Sequence, residues 1–260
     1  MLTRLKNGLS YEDIRLIAII AMLIDHIGAI LIEGYLMQSG FMPYGAFTAS
    51  HDMPGYGLAI RLYYIDILLR LTGRTAFPLF AFMIVQGFMH THSRKAYLIR
   101  LLLFALISQI PFHLAASLTV MDSANVLFTL TFGLICIWVL ELIREKLSGS
   151  SFAIPLAVIV VFCCCAASWY IDSDYSQYGV LSIMAFYLFS KQPVQGAVAA
   201  CIMLMVSNPY YELAAFLSVF LISRYNGEKG EQHFGKYFFY AFYPSHLLIL
   251  YGIVRLILRM

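Results

Sequence analysis

Asp13-Ile-Arg15-Leu-Ile-Ala-Ile-Ile-Ala-Met-Leu-Ile-Asp25-His26-Ile-Gly28 runs from a charge cluster through an unbroken apolar stretch to a carboxylate and an imidazole side by side. In a helix, a rise of 1.5 Å per residue puts His26 about 16 Å along the axis from Arg15, roughly half of a ~30 Å hydrocarbon core. Successive turns of ~100° per residue bring His26 back to within about 20° of the face of Arg15. One face therefore carries a cation at its mouth and a titratable imidazole at mid-depth. Ionisable groups at that depth are costly and mark functional sites by default. Asp25 points ~100° away from His26 around the axis, so it addresses a neighbouring helix or a basic group instead.

The remainder of the chain reads as the walls around that helix. Of its 260 residues 61% are hydrophobic and only 12% charged, and the mean hydropathy is +0.79. Soluble domains carry about 25% charge, so the composition predicts a polytopic transmembrane helical bundle. The fold class is all-α, with residues 1–260 forming one integral-membrane domain of about nine or ten helices. A net charge of +3 is too small to point to nucleic acid. No cleavable signal peptide is evident, because the first apolar run is long and lacks a small-residue cleavage site. The five cysteines show no metal-ligand spacing; Cys163, Cys164 and Cys165 sit in an apolar run, where cysteine behaves as a small hydrophobe. P-loop, Rossmann, GxSxG and HExxH patterns are absent.

Spans are expected near 14–32, 76–89, 97–118, 126–142, 152–169, 179–189, 196–206, 213–222 and 238–256, several of the later ones short. The stretch 58–71 is apolar yet holds Arg61, Asp66 and Arg70 and is short for a crossing. If it is an interfacial or partial helix, then Arg4, Lys6, Arg15, Arg94, Lys95, Arg100, Arg144, Lys146, Lys191, Arg224, Lys229 and Lys236 share one side. The positive-inside rule makes that side, with the N-terminus, cytoplasmic. Arg61, Arg70, Arg74, Arg255 and Arg259 fall opposite, together with Asp122, Asp172, Asp174 and Glu212. The favoured arrangement is about nine full spans plus one irregular segment. Its charge asymmetry is a plain topology signal, or a cationic mouth for an anionic donor opposite an acidic mouth for a cationic or hydroxylated acceptor.

Further polar groups interrupt the apolar runs. Gln86 and Gly87 end the stretch that opens at Gly73-Arg74 and contains Pro78. His92-Ser93-Arg94-Lys95-Ala-Tyr97-Leu-Ile-Arg100 is a dense basic group before a helix, whose N-terminus itself favours anions. Ser108-Gln109-Ile110-Pro111-Phe112-His113 breaks a span, and Asn125 and Thr129 head the next. Late in the chain lie Asn208-Pro209-Tyr210-Tyr211-Glu212 and Tyr240-Ala-Phe242-Tyr243-Pro244-Ser245-His246. Measured from Lys236, His246 lies ~15 Å deep, close to the level of His26. Two histidines at one depth form an acid/base pair, or one braces the other.

These pieces resemble the TraX family of membrane proteins. The matching segments, in order, are Asp25-His26-Ile27-Gly28, Gly73-Arg74-Thr-Ala-Phe-Pro78-Leu-Phe-Ala-Phe, Phe104-Ala-Leu-Ile-Ser108-Gln109-Ile-Pro111-Phe, Asn125-Val-Leu-Phe-Thr129-Leu, Tyr178-Gly179-Val and Phe242-Tyr243-Pro244-Ser-His246-Leu-Leu. The resemblance implies the family's founding activity, N-terminal acetylation of conjugative pilin. It also implies kinship with a broader transmembrane acyltransferase group that includes acyltransferase family 3 and heparan-α-glucosaminide N-acetyltransferase. In acyltransferase family 3 the first helix has a basic residue, ten intervening positions and a histidine, a spacing that Arg15 and His26 fit.

The activity implied by the resemblance is acetyl transfer from cytoplasmic acetyl-CoA to an amine or hydroxyl acceptor, such as a pilin or peptide N-terminus, in the inner membrane. No metal is required. His26, with Asp25 and His246, is the expected catalytic group. Arg15, Arg94, Lys95, Arg100 and Arg74 are expected to hold the donor phosphates, since cations recognise phosphate through charge-assisted hydrogen bonds. Glu212, Asn125, Asp174 and Tyr178 are expected on the acceptor side, and Asn125, Gln86 or a tyrosine would donate to the carbonyl oxygen. The rival readings are a proton-coupled small-molecule transporter, O-acetylation of a cell-envelope glycan, and a non-enzymatic scaffold for pilus assembly.

Overall fold

A computed structural model describes residues 8–42, 47–117, 123–232, 234–235 and 237–258. The expectations placed on Arg4, Lys6, Asp122, Lys236 and Arg259 lie outside the described residues. Helix α1 (Tyr11–Gln38) opens with a capping box: the Ser10 hydroxyl accepts from the Asp13 N–H at 3.2 Å, and the Asp13 carboxylate accepts from the Ser10 N–H at 3.0 Å. Two first-turn donors are thereby satisfied where the chain would enter a bilayer. At Ile27–Ile32, directly after His26, α1 widens into a π-helical stretch before resuming as α-helix over Glu33–Gln38.

Helix α2 (Tyr56–Gly73) runs antiparallel to α1. Its Ala59 packs in one cluster with Leu36, and Gly73 lies against Asp25. After a turn at Arg74 and Thr75 the chain continues as α3 (Ala76–His90), with Pro78 in its first turn, where a missing N–H costs nothing. α3 ends beside the start of α1, since Gly87, Thr91 and Tyr11 line one cavity. α2 and α3 thus make a single crossing broken at mid-depth. The expected division, an irregular segment at 58–71 and a separate full span at 76–89, is corrected accordingly. Of the charges that argued against 58–71 as a span, Arg70 is paired with Asp25 and Glu33 of α1, Asp66 is buried against Gly28, and Arg61 is exposed.

The chain then goes back and forth through α4 (Arg94–Ala116), α5 (Val126–Lys146), α6 (Ala153–Tyr170), α7 (Ser176–Leu188), α8 (Pro193–Ser207), α9 (Pro209–Ser223) and α10 (Phe238–Leu258). We call the end of the bundle where α1 begins proximal, and the other end distal. Among the described residues six helical stretches are long and apolar enough to cross a membrane, α2–α3 counting as one. α7 and α8, with 13 and 15 residues, reach only about 20 and 22 Å. They and α9 are therefore not the full-length spans expected of 179–189, 196–206 and 213–222. α7 is a core helix instead: Ile183 and Phe186 are buried with Phe82, Leu134 and Leu204.

The outward face of α6, with Ile154, Val158, Ile159 and Phe162, is exposed. Apolar patches of that extent do not face water in soluble monomers, so this is a multi-pass membrane protein built as an all-α bundle. Packing of small residues supports the interior. A Cβ on Gly28 would stand 2.7 Å from Asp66 Oδ1, so the missing side chain lets α2 approach α1 closely. At the proximal end the segment between α9 and α10 crosses over the start of α1. The N–H groups of Leu9, Tyr11 and Glu12 donate to the carbonyls of Arg224, Glu228 and Lys229 at 2.6, 2.9 and 3.1 Å.

Candidate functional site

Two histidines meet at the centre of the bundle. His26 Nδ1 lies 2.8 Å from the Met22 carbonyl, and His246 Nδ1 lies 2.8 Å from the Phe242 carbonyl, each one turn back on its own helix. A carbonyl only accepts, so Nδ1 carries the proton in both neutral rings. His246 Nε2, 3.3 Å from His26 Nδ1, is then an acceptor that shares the Nδ1–H of His26. The remaining lone pair belongs to His26 Nε2. The ring of Phe242 stacks on His246 at 4.9 Å and 16°, and Tyr243 meets His26 edge-on at 6.2 Å. His246 is only 4% exposed, so its ring is fixed by packing as well as by hydrogen bonds.

On the distal side of the pair, Asp25 turns away from His26 and binds two arginines, as its position around the helix requires. Its carboxylate accepts from Arg70 at 2.6 Å and from Arg74 at 3.3 Å. Arg70 also reaches Glu33 at 3.1 Å, and Arg74 reaches Glu212 at 3.2 Å and the Tyr175 hydroxyl at 3.5 Å. In an unbroken α-helix Asp25 and Glu33 would stand about 80° apart. The π-helical stretch between them holds more residues per turn, which winds Glu33 back toward the Asp25 face and lets both bind Arg70. Asp66 is 4% exposed and Glu212 3%, and Asp66 Oδ1 and Glu212 Oε2 have no hydrogen-bond partner among the described residues.

A narrow cavity of about 70 Å³ opens into this network, lined by His26, Asp25, Arg70, Arg74, Asp174 and Tyr175 among others. Asp174 lies in the loop after α6, where burial pushes its carboxyl up and Arg74 pulls it part of the way back. The cavity itself is balanced, with Asp25 and Asp174 against Arg70 and Arg74, whereas the recess beside it holds Asp172, Asp174 and Glu212 against Arg74 alone and favours positive charge.

The proximal cavity is larger, about 430 Å³, and has the opposite character. Phe80, Met83, Ile84, Leu127 and Leu130 form apolar walls, Arg15, Arg100 and Lys229 stand among its lining, and Tyr243 lies on its wall. Arg15 pairs with Glu12 at 3.1 Å and sits 3.1 Å over the Phe239 ring. Arg100 lies beside the Tyr240 hydroxyl, and its Nε has no partner among the described residues. The two cavities approach each other at Tyr243 and the histidine pair: Tyr243 lines one, His26 the other.

The structure brings together His26 with His246, Asp25 with Arg74, Asp174 and Glu212, and Arg15 with Arg100. It does not place Arg74 with the other expected donor-binding cations; Arg74 is a distal residue, held by acidic partners. Arg94 is turned aside, 4.5 Å over the Phe88 ring and 3.9 and 3.7 Å from Glu141 and Glu145, and Lys95 is exposed. Neither lines the proximal cavity. Asn125 caps α5: its amide donates to the Ala105 carbonyl at 2.9 Å and to Gln109 at 2.6 Å, while its Oδ1 accepts from the Leu127 N–H at 3.0 Å. Nothing of it remains for an acceptor. Tyr178 lines a shallow distal recess with Arg74, Asp174 and Glu212.

Arg70, Glu33, Asp66 and Tyr243 are site residues that the sequence alone does not single out. The first three are visible there only as charges inside apolar helices, and Tyr243 as the residue one turn before His246.

Comparison with known proteins yields a relative and a family. The chain is 28% identical over 197 residues, 70% of its length and 81% of the relative's, to the probable fimbrial assembly protein FimC, serogroup H1, of Dichelobacter nodosus. No solved structure matches. The model of the family described as TraX protein matches residues 10–254, a range that holds both histidines, both cavities and the arginine–carboxylate network, and the chain therefore belongs to the TraX family.

Proposed function

We propose that the protein is a membrane acetyltransferase that takes acetyl-CoA from the proximal end and an amine acceptor from the distal end. One observation carries this reading: His26, its Nε2 unpaired among the described residues, lines a distal cavity beside an acid-rich recess and stands 6.2 Å from Tyr243 on the wall of the cation-bearing proximal cavity. Arg15, Arg100 and Lys229 would hold the donor phosphates, leaving the thioester to reach inward along the apolar walls. The acid-rich distal recess, with Asp174 and Glu212, would draw in the acceptor as its ammonium form, which loses a proton to become nucleophilic.

In the chemical step the amine nitrogen attacks the thioester carbonyl carbon and passes its proton to His26 Nε2. The C–N bond forms, the C–S bond breaks, and the departing thiolate takes the proton from His26 to leave as the thiol. His246 accepts the Nδ1–H of His26 and so keeps the lone pair at Nε2. Membership of the TraX family and the relative's name support a pilin or another peptide N-terminus as acceptor. The proximal end would be cytoplasmic, since Arg94, Lys95, Arg144, Lys146, Lys191, Arg224 and Lys229 gather there, and the membrane would be the cell's inner membrane.

The opposed cavities also suit a second reading, a proton-coupled permease. Purified protein in detergent with acetyl-CoA and a peptide acceptor separates the two. Acetyl-peptide is expected from the wild type and not from His26→Ala. Full transfer by His26→Ala would remove the base assignment, and substrate movement without acetyl-CoA would favour the permease.

A further inference from the structure

Attack on a thioester carbonyl places negative charge on its oxygen, and a group that donates to that oxygen is usually a large part of catalysis. The acetyl-transfer reading, on which this inference rests, leaves that donor unassigned. Asn125 is fully engaged as a helix cap. Gln86 lines a separate recess with His90 and Tyr225. Arg15 and Lys229 stand at the start of α1 and beside it, well short of the depth of His26.

Tyr243 has the required placement. It lies one turn before His246 on α10, so the two rings meet edge-on along one face of the helix. Its ring is 6.2 Å from His26 and 5.7 Å from His246, and it lines the proximal cavity while being only 4% exposed. Its hydroxyl lies beside the backbone of Val126, the first residue of α5. The N–H there is one of the donors that the helix leaves without an internal acceptor. Asn125 Oδ1 takes the Leu127 N–H, and the Asn125 carbonyl takes that of Phe128 at 3.1 Å. The Val126 N–H is thus left to the tyrosine oxygen. A hydroxyl that accepts from a helix N-terminus is polarised and still has its own proton to give.

We infer that Tyr243 is the catalytic hydrogen-bond donor to the acyl carbonyl oxygen, with the Val126 N–H as its positioning partner. As the amine attacks, the carbonyl π-electrons move onto oxygen and the Tyr243 O–H holds that oxyanion without giving up its proton. When the carbonyl re-forms, the electron pair of the C–S bond leaves on sulfur. Tyr243 and His26 therefore divide the reaction: one serves the oxygen, the other the nitrogen and sulfur.

The test is steady-state transfer by the full chain in detergent, with acetyl-CoA and fluoroacetyl-CoA as donors. For Tyr243→Phe, which keeps the ring contacts, kcat with acetyl-CoA is expected to fall about 100-fold, with KM for the donor within about twofold of wild type. The deficit should shrink at least several-fold with the fluoroacetyl donor, whose more electrophilic carbonyl needs the hydrogen bond less. Val126→Pro provides a second variant. Proline is at home in the first position of a helix, and Asn125 already has the extended conformation that precedes proline, φ −66° and ψ 159°. It removes the N–H, along with the Val126 side chain that packs against the core, and should lower kcat about three- to tenfold.

Wild-type kcat in Tyr243→Phe, alongside an inactive His26→Ala, would overturn the Tyr243 assignment and leave acetyl transfer standing. Equal losses with both donors would overturn it as well, since they mark a packing effect. Should Tyr243→Phe fail to fold, an unchanged kcat in Val126→Pro overturns the inference. Absence of transfer by the wild type with every acceptor peptide would instead remove the reading on which the inference depends.

Discussion

At the scale of single residues the histidine pair is asymmetric, and the asymmetry has measurable consequences. His26 offers the free lone pair, whereas His246 only fixes the tautomer. His26→Ala should therefore cost about 10²–10⁴ in kcat, the usual worth of a general base. His246→Ala should cost less, on the order of tenfold, and assays of acetyl-peptide formation would show the ranking. The distal acids give a pH effect. Because burial raises the Asp174 carboxyl, it protonates at higher pH than an ordinary carboxylate near 3.9. The acceptor KM should then rise as pH falls, beginning earlier than an exposed aspartate would allow, and Asp174→Asn should flatten that dependence. Arg74 holds Asp25 and the buried Glu212 together. Arg74→Leu leaves both without it, and a loss of about 3–5 kcal/mol in stability is expected, seen as a lower thermal midpoint in detergent.

The residue-level chemistry was partly legible in the sequence. Helical geometry alone turned Asp25 away from His26 toward a basic partner and set His246 near the same depth. It could not show that the partner is Arg70 on the adjacent helix, because that contact joins residues 45 positions apart. Nor could it exclude Asn125 as a ligand group. Asparagine before an apolar run is equally the signature of a helix cap, and only the Ala105 and Gln109 contacts decide.

At the scale of elements, the close approach of α1 and α2 accounts for both the buried ion network and the broken crossing. Gly73 lies directly against the Asp25 side chain and Gly28 against Asp66 and Arg70. Gly28→Ala must move α2 outward or displace the Asp66 carboxylate. A cost of about 1–3 kcal/mol is expected, as for other overpacked contacts, with loss of transferase activity exceeding the loss of folded protein on size-exclusion chromatography. No residue type marks the π-helical stretch at Ile27–Ile32 in advance: its apolar residues suit ordinary helix, and the widening is fixed by Arg70 binding both Asp25 and Glu33. Charges within 58–71 misled for the opposite reason. Counted alone they disfavour a span; Arg70, counted with Asp25 and Glu33 on α1, is what holds α2 there.

For the whole molecule the path of the chain sets a topology that can be checked directly. α1 starts at the proximal end and α10 finishes at the distal end, with α2 and α3 sharing one crossing. Residues at the starts of α1 and α10 should be reached by a membrane-impermeant thiol reagent from one side, and residues near Arg255 from the other. Labelling of both from the same side would contradict the path. Composition and hydropathy made the membrane bundle plain, and the balance of Lys and Arg put Arg94, Arg144, Lys191 and Arg224 at one end. The short inner helices were less legible. An apolar run of 13 residues has the same composition whether it faces lipid or, like α7, other helices.

The strap that joins α9 to α10 bears on how such a protein is made. Its carbonyls complete the first turn of α1, and His246 meets a residue 220 positions earlier in the chain. A ribosome must therefore release nearly the whole polypeptide before the first helix acquires its mouth or its imidazole acquires a partner. Nascent or prematurely terminated chains would enter the bilayer with the histidine pair unassembled, and the chemistry proposed for it would wait for the strap and α10.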